Sequence, residues 1–424
     1  MLNIKEIREH PEEIEKRLRT KEKEISLTPI LKLDEQHRNL LLQVEEMRSQ
    51  LKKTSKMIGE KKRAGEDTSA IMKEVGGLGD EIQKLEHEMR SVEEQLQDSL
   101  ARLPNLPDPD VKISLDPADN VCIKTHGEKK NFSFMPKNHL ELAEKHHLLD
   151  FKRGAKISGS GWPVYRDLGA RLELALLNYM IETHIKNGFE FILTPYLVKR
   201  DAMMGAGQLP KFEEQLFKLE DPDYPLMLIP TGEVPLNGLH LDEILDAEEL
   251  PKRYTTYTPC FRREAGAAGS TERGLIRVHQ FNKVEMYCFT KPEESDAMFE
   301  KMVRSAEEIL EGLELHYRSM LLVTGDMSFP ASRTVDVEVF LPGQDRYYEV
   351  SSVSNCRDFQ ARRSKTRFRE KGEKPQLVHT LNGSGVATAR LFVALLENNQ
   401  REDGSIAIPK ALQPYLGGIS EIHV

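Results

Sequence analysis

Cysteine is scarce. The 424-residue chain has four, Cys122, Cys260, Cys288 and Cys356, and all lie far apart. Without a C-x-x-C pair, neither a zinc ribbon nor a disulfide framework is suggested; a reducing, cytoplasmic setting and no zinc are expected. No apolar run approaches 18 residues, so no membrane span and no membrane partner are expected. The first stretch, "MLNIKEIREHPEEIEKRL", is too charged for a secretory signal. An excess of positive charge is missing too. Lys and Arg number 60 against 69 Asp and Glu, net −9, so any contact with nucleic acid has to come from local patches. The common phosphate-binding signatures are also absent. There is no GxxxxGK[ST] and no GxGxxG after a strand, so a nucleotide would have to be held by another device.

What the chain does have is a pair of heptad seams. Leu33, His37, Leu40, Val44, Met47, Leu51, Thr54 and Ile58 follow one another at alternating spacings of four and three. Ile71, Val75, Leu78, Ile82, Leu85, Met89, Val92 and Leu96 repeat the rhythm. The stretch "GEKKRAGEDTSA" between them reads as a turn, so the two helices are expected to fold back as an antiparallel coiled-coil arm over about residues 31–100. At ~1.5 Å per residue each seam spans about 40 Å. Positive charge gathers toward the turn. Arg48, Lys52, Lys53, Lys56, Lys61, Lys62 and Arg63 face a single acid, Glu60, although residues 1–110 as a whole carry 20 basic and 24 acidic residues. Such a run is often only a solvated helix face. Here it also suits phosphate contact, in which Lys and Arg displace counterions. The three glycines of "EVGGLGDE" weaken the start of the second helix, at roughly 1 kcal/mol each. Pro104, Pro107 and Pro109 close the region, which places a domain boundary near residue 110 and a second domain over 111–424.

In the second domain helical and strand-like patterns mix. Residues 167–188 and 292–313 carry helical apolar stripes. "FEFILTPYLV", "YTTYTPCFRRE", "IRVHQFNKVEMYCFT" and "RTVDVEVFLPGQDRYYEVSSVSN" read as strands, and "ATARLFVALLENNQ" as a buried helix. Antiparallel pairs separated by helices predict an α+β fold, an antiparallel sheet flanked by helices.

Three constellations carry chemistry. Arg262 is a fixed bidentate cation suited to phosphate, with Glu264 two residues on and so expected on the same strand face. The loop "AGAAGSTERG" that follows is built of small residues and could close over a ligand. Glu349 and Ser352 in "YEVSS" offer oxygen ligands for Mg²⁺ beside phosphates. "LNGSGVATAR" reads as a glycine turn leading into a helix whose first turn holds Arg390. Singly, each has a plain structural use as a surface ion pair, a strand end or a turn; together in one domain they suggest a nucleotide site. A histidine between the two charged segments, His279, is read as packed in place rather than as a base.

Together these features resemble the bacterial-type seryl-tRNA synthetases, a family of the class II aminoacyl-tRNA synthetases, along essentially the whole chain. The segment from "DFKRGAKISGSGWPVYRDLGARLELALLNYM" to "LTPYLV" is similar to that family's motif 1, with Pro195 at the motif's proline. "FRREAGAAGSTERGLIRVHQFNKVE" resembles motif 2, and the C-terminal block resembles the region through motif 3. "GQLPKFEEQLFKL" is similar to a stretch peculiar to seryl enzymes, and the arm to the tRNA-binding domain. The resemblance implies ATP-dependent activation of L-serine and its transfer to tRNA(Ser), and also to tRNA(Sec), by a homodimer. It implies catalytic roles for Arg262 and Arg390. ATP would be bound by Arg262, Arg263, Glu264, Val278, Glu349, Val350, Ser351, Ser352 and Arg390, with Mg²⁺ on Glu349 and Ser352. Serine would be bound by Thr231, Gly232, Glu233, Arg262, Glu285 and Ser384, and tRNA by the basic arm residues. Two departures stand out. Gly232 replaces the usual alanine of a T-A-E loop, which would loosen the backbone there, and Ser270-Thr271-Glu272-Arg273 differs from the more frequent D-T-R wording. A relative that charges a carrier protein would lack the full arm. A non-enzymatic adaptor would not keep Arg262, Glu264, Glu285, Glu349 and Arg390.

Overall fold

The computed structural model of the protein describes residues 1–264 and 274–423. The altered Ser270–Arg273 wording therefore lies outside the described residues. The chain divides into two compact units, Leu2–Leu103 and Pro104–Val424, the latter also taking in Met1.

The first unit is dominated by helices α1 (Thr28–Arg63) and α2 (Ser69–Ala101). The heptad positions make their seam: Leu40, Val44, Ile82, Val92 and Leu96 are buried, and those nearer the turn are half-buried while their neighbours are exposed. A two-stranded coil has no third partner to cover the seam fully. Two details differ from expectation. Gly59 lies inside α1, and the turn is confined to residues 64–68, where Gly65 takes a left-handed φ of 75°. Lys61, Lys62 and Arg63 thus form the last turn of α1, where cations favour the helix dipole. The helix α2 also runs unbroken through Gly76, Gly77 and Gly79, because the seam stabilises what their weak propensity opposes.

The second unit is built on an eight-stranded sheet. Its strands are β1 (Val121–His126), β2 (Glu190–Phe191), β3 (Lys252–Phe261), β4 (Gln280–Thr290), β5 (Tyr317–Leu321), β6 (Arg333–Leu341), β7 (Arg346–Arg357) and β8 (His379–Ala387). Their order is β1-β5-β6-β7-β8-β4-β3-β2. Only β2–β3 is parallel; the other neighbours are antiparallel, as an α+β fold requires. Helices α3 (Leu168–Lys186), α4 (Ser295–Gly312) and α6 (Thr388–Asn399) supply Leu176, Met180, Met302, Phe392 and Leu395 to cores shared with Val335, Val337 and Val339 of β6. A short helix, α5 (Phe359–Ser364), follows β7.

Strand residues alternate between faces. If Val335 and Val337 face the helices, Asp336 faces the other way. "FEFILTPYLV" is not one strand; only Glu190–Phe191 and Leu197–Val198 are extended in ladders, with Pro195 between them. "NGSG" is not a turn but the middle of β8.

Candidate active site

Register gathers the polar side chains on the face away from those helices. Asp336 pairs with Ser352, Ser384 with Glu285, and Glu285 with Thr256, while Val353–Gly383 joins the two sets. The line of residues crosses five strands, β6-β7-β8-β4-β3. Two irregularities complete it. Residues three apart in a regular strand point to opposite faces, so Glu349 and Ser352 should not meet. The ladder slips between Val337 and Glu338: Ser351 pairs with Val337 but Glu349 with Glu338, which leaves Val350 as an extra residue. The bulge puts Glu349 and Ser352 on one face, and both line the same cavity. A second slip between Ser384 and Ala387 includes Val386, a buried β-branched residue at φ 88°. Such backbone strain is uncommon outside functional sites. It lies between Ser384 and the α6 turn that carries Arg390.

Two adjoining cavities result, of about 680 and 190 Å³. Arg262, Glu264, Arg277, Lys283, Glu349 and Ser384 line both. Thr231, Glu233, Glu285 and Ser352 line only the larger; Val278, Val350 and Arg390 only the smaller. Gln208, Phe212 and Gln215, from the "GQLPKFEEQLFKL" stretch, wall the larger cavity. Arg263, Gly232 and Ser351 line neither. Arg263 donates its backbone N–H to the Gln215 carbonyl, and Ser351 Oγ donates to the Ser384 carbonyl at 2.5 Å.

Arg262 and Glu264 reach the site by a route other than the expected one. The strand β3 ends at Phe261, and Glu264 has a left-handed φ of 48°, so the pair does not share a strand face by alternation. Arg262 Nε donates to the Pro230 carbonyl at 3.2 Å, and its guanidinium lies 5.2 Å from the Phe281 ring centre. Glu264 stands 3.5 Å from the Arg277 guanidinium. His279 precedes β4 and holds its Nδ1 3.1 Å from the Arg262 carbonyl, with its ring against Trp162. Arg390 Nη1 donates to the Glu349 carbonyl at 2.7 Å and approaches its carboxylate at 3.3 Å.

Buried polar groups crowd the larger cavity. Thr231 Oγ1 donates to Glu285 at 3.1 Å and accepts from Lys283 Nζ at 2.8 Å; Lys283 and Glu285 also form a buried ion pair. Glu233 Oε1 accepts from Gln360 Nε2 at 2.5 Å and from Asn382 Nδ2 at 2.7 Å. Gln360 is itself tied to the Tyr287 hydroxyl and Thr380. Burial, then the nearby Glu285 charge, push the Glu233 carboxyl up to about 7, against the pull of the Gln360 donor. Gly232 has an ordinary helical φ of −63°. A Cβ there would meet Glu285 Cβ at 3.0 Å and Thr256 Cγ2 at 3.1 Å. The glycine therefore permits close approach of the loop to β4; no special backbone conformation requires it.

Lys283, Arg277, Gln360 and Asn382 were missed from sequence. Alternation could have found Lys283, two residues before Glu285 on the same strand. Nothing local marks Gln360, which is 127 positions from Glu233.

A divalent cation fits this arrangement. Glu349 and Ser352 share a face, and behind them Asp336 Oδ1 is buried without a hydrogen-bond partner among the described residues. Among those residues no group of three or more His, Cys, Asp or Glu could enclose a metal. One or two protein oxygens completed by phosphates is the usual mode for Mg²⁺.

This sheet and site define a class II tRNA synthetase core. The family model for that core (G, H, P, S and T) matches residues 217–399, and the model for the seryl-tRNA synthetase N-terminal domain matches residues 1–107. A serine–tRNA ligase of Chlamydia felis is 54% identical over 417 residues, 98% of each chain. The crystal structure of seryl-tRNA synthetase from Pyrococcus horikoshii complexed with ATP is 38% identical, with a TM-score of 0.92 over 100% of this chain and 99% of that one. A cytoplasmic serine–tRNA ligase from Naegleria fowleri, in complex with AMP, is 27% identical with a TM-score of 0.87, covering 100% of this chain and 98% of that one. The chain belongs to the seryl-tRNA synthetase family.

Proposed function

We propose that the protein activates L-serine with ATP and transfers the seryl group to tRNA(Ser), and by the same reading to tRNA(Sec). The observation that carries the substrate assignment is the buried Thr231–Lys283–Glu285 cluster beside Glu233. A site whose buried polar groups must be satisfied by a hydroxyl rejects an amino acid that lacks one. Glu285 takes the serine hydroxyl, Glu233 the ammonium and Arg262 the carboxylate. Thr231 and Lys283 both engage Oε2 of Glu285, so alanine would leave Oε1 unsatisfied, at a cost of roughly 1–3 kcal/mol. Threonine keeps the hydroxyl and is excluded by shape.

ATP lies toward the smaller cavity, with Arg262 on the α-phosphate, Arg390 on the γ-phosphate and Glu264 near the adenine amino group. Mg²⁺ held by Glu349 and Ser352 would offset phosphate charge. The serine carboxylate attacks the α-phosphorus and pyrophosphate leaves; the terminal ribose hydroxyl of the tRNA then attacks the seryl carbonyl and AMP leaves. Neither step needs a protein nucleophile. Positioning and charge neutralisation supply the catalysis.

The basic run on α1 grips the RNA backbone, since RNA helices are recognised largely through shape and phosphates. A homodimer forms through the motif 1 region. That region exposes Leu174, Ile185, Leu193, Tyr196 and Leu197, more apolar surface than a solvated segment needs. Amino-acid-dependent pyrophosphate exchange across the twenty amino acids tests the reading. Serine is expected to respond most strongly, and any other strongest responder refutes it.

A further inference from the structure

A hydroxyl that coordinates a cation has to offer a lone pair, so its proton must be directed elsewhere. It has one proton to give and two lone pairs to offer. Ser352 stands directly opposite Asp336, its partner across the β6–β7 ladder. The next rung on the same face, two pairs along, shows what strand pairing alone requires. There Thr334 and Ser354 join the same two strands by a neutral hydroxyl pair at 2.9 Å. At Asp336 a carboxyl stands opposite the serine instead, with Oδ1 buried and unpartnered among the described residues. Two further acids, Glu338 and Glu349, pair with each other on the same ladder, two residues along from Asp336 on its strand. Burying a carboxylate among carboxylates is unfavourable for the fold alone and favourable where a divalent cation arrives.

We propose that Asp336 is a positioning residue of the cation site, holding the Ser352 hydroxyl with its lone pairs toward the cavity that Ser352 and Glu349 line. The proposal rests on the Mg²⁺ reading of Glu349 and Ser352 given above. Asp336 lines neither cavity, so it acts through Ser352.

The test is Mn²⁺ titration of the full-length enzyme, followed by electron paramagnetic resonance in the presence of α,β-methylene-ATP, together with thermal unfolding without metal. Asp336→Asn is expected to weaken Mn²⁺ binding about tenfold or more, as removal of outer-shell carboxylates does elsewhere. Its unfolding midpoint is expected to stay level or rise, because a like-charge contact is removed. In a Ser352→Ala background the same change is expected to add less than about twofold. Unchanged Mn²⁺ affinity, or a further tenfold loss in that background, overturns the proposal. If Asp336→Asn does not fold, Asp336→Thr rebuilds the neighbouring rung's hydroxyl pair and is read by the same criteria. Glu349→Gln separates the two levels. If it weakens Mn²⁺ binding and Asp336→Asn does not, only the role of Asp336 falls; if neither does, the cation site falls with it.

Discussion

The two units put charge to opposite uses. On the arm, Lys52, Lys53, Lys56, Lys62 and Arg63 are exposed, and the ion pairs nearby are surface ones. Arg48–Glu86 at 2.7 Å leaves the arginine side chain 63% exposed. Such pairs contribute about 0–1 kcal/mol each and yield readily to a polyanion. In the catalytic unit Lys283, Glu285 and Glu233 are buried, where an unmatched charge costs far more. Exposed charge suits a partner recognised by its overall field, and buried charge suits a small ligand recognised atom by atom.

The largest effect should come from the buried side of this contrast. Arg262→Ala is expected to reduce serine-dependent pyrophosphate exchange by about 10³-fold or more, with charging lost alongside, since one preorganised donor to a developing charge is worth about that much. Near wild-type exchange would remove Arg262 from the reaction. Deleting residues 31–100 should separate the units: tRNA charging is lost, while exchange stays within about threefold because the cavities take no residue from the arm. Retained charging by the truncated enzyme would break the comparison.

A smaller, graded effect follows from Glu233. With its carboxyl pushed up to about 7, it is mostly protonated at acidic pH and gains the charge a serine ammonium needs as pH rises. The KM for serine should fall with rising pH and level off above about 7, by up to about tenfold per pH unit on the acidic side. A flat profile would contradict the assignment. The same raised carboxyl contributes stability that is fully present below its ordinary 4.5 and is lost as pH rises through about 7. Buried Glu173, also raised to about 7, acts in the same window. Thermal midpoints should therefore decline between those limits, and less so in Glu233→Gln.

The smallest effect belongs to the arm. A Cβ at Gly76 or Gly77 would meet nothing within 4 Å, so Gly76→Ala and Gly77→Ala should each stabilise α2 by about 1 kcal/mol, seen as a higher arm melting midpoint with unchanged exchange. Destabilisation would mean that the open surface there has another use.

The arm was legible because its signal is local. The heptad spacing sets which residues meet regardless of what lies elsewhere; the turn and the effect of the α2 glycines were misjudged, since Gly59, Gly76, Gly77 and Gly79 can remain helical when the seam continues past them. Motif residues were legible by resemblance, but their geometry was not. Arg262 and Glu264 were expected on one strand face, yet they meet at the cavities through a left-handed turn after the strand ends. "NGSG" reads as a turn until its two neighbouring strands are known. Gln360 and Asn382, which hold Glu233, come from positions that no spacing rule connects to it.

By itself the sequence determined the coiled-coil seam, the placing of basic charge toward its turn and the α+β alternation, because each depends on spacing of a few residues along the chain; the ligand-facing residues came from the resemblance. Only the tertiary structure decided that Glu349 and Ser352 face the same way, that Asp336 stands behind Ser352, and that Ser384 lies opposite Glu285. Those outcomes depend on a one-residue bulge and on ladder register. A slip of one residue turns a side chain to the other face of a sheet, and only the neighbouring strands fix that slip.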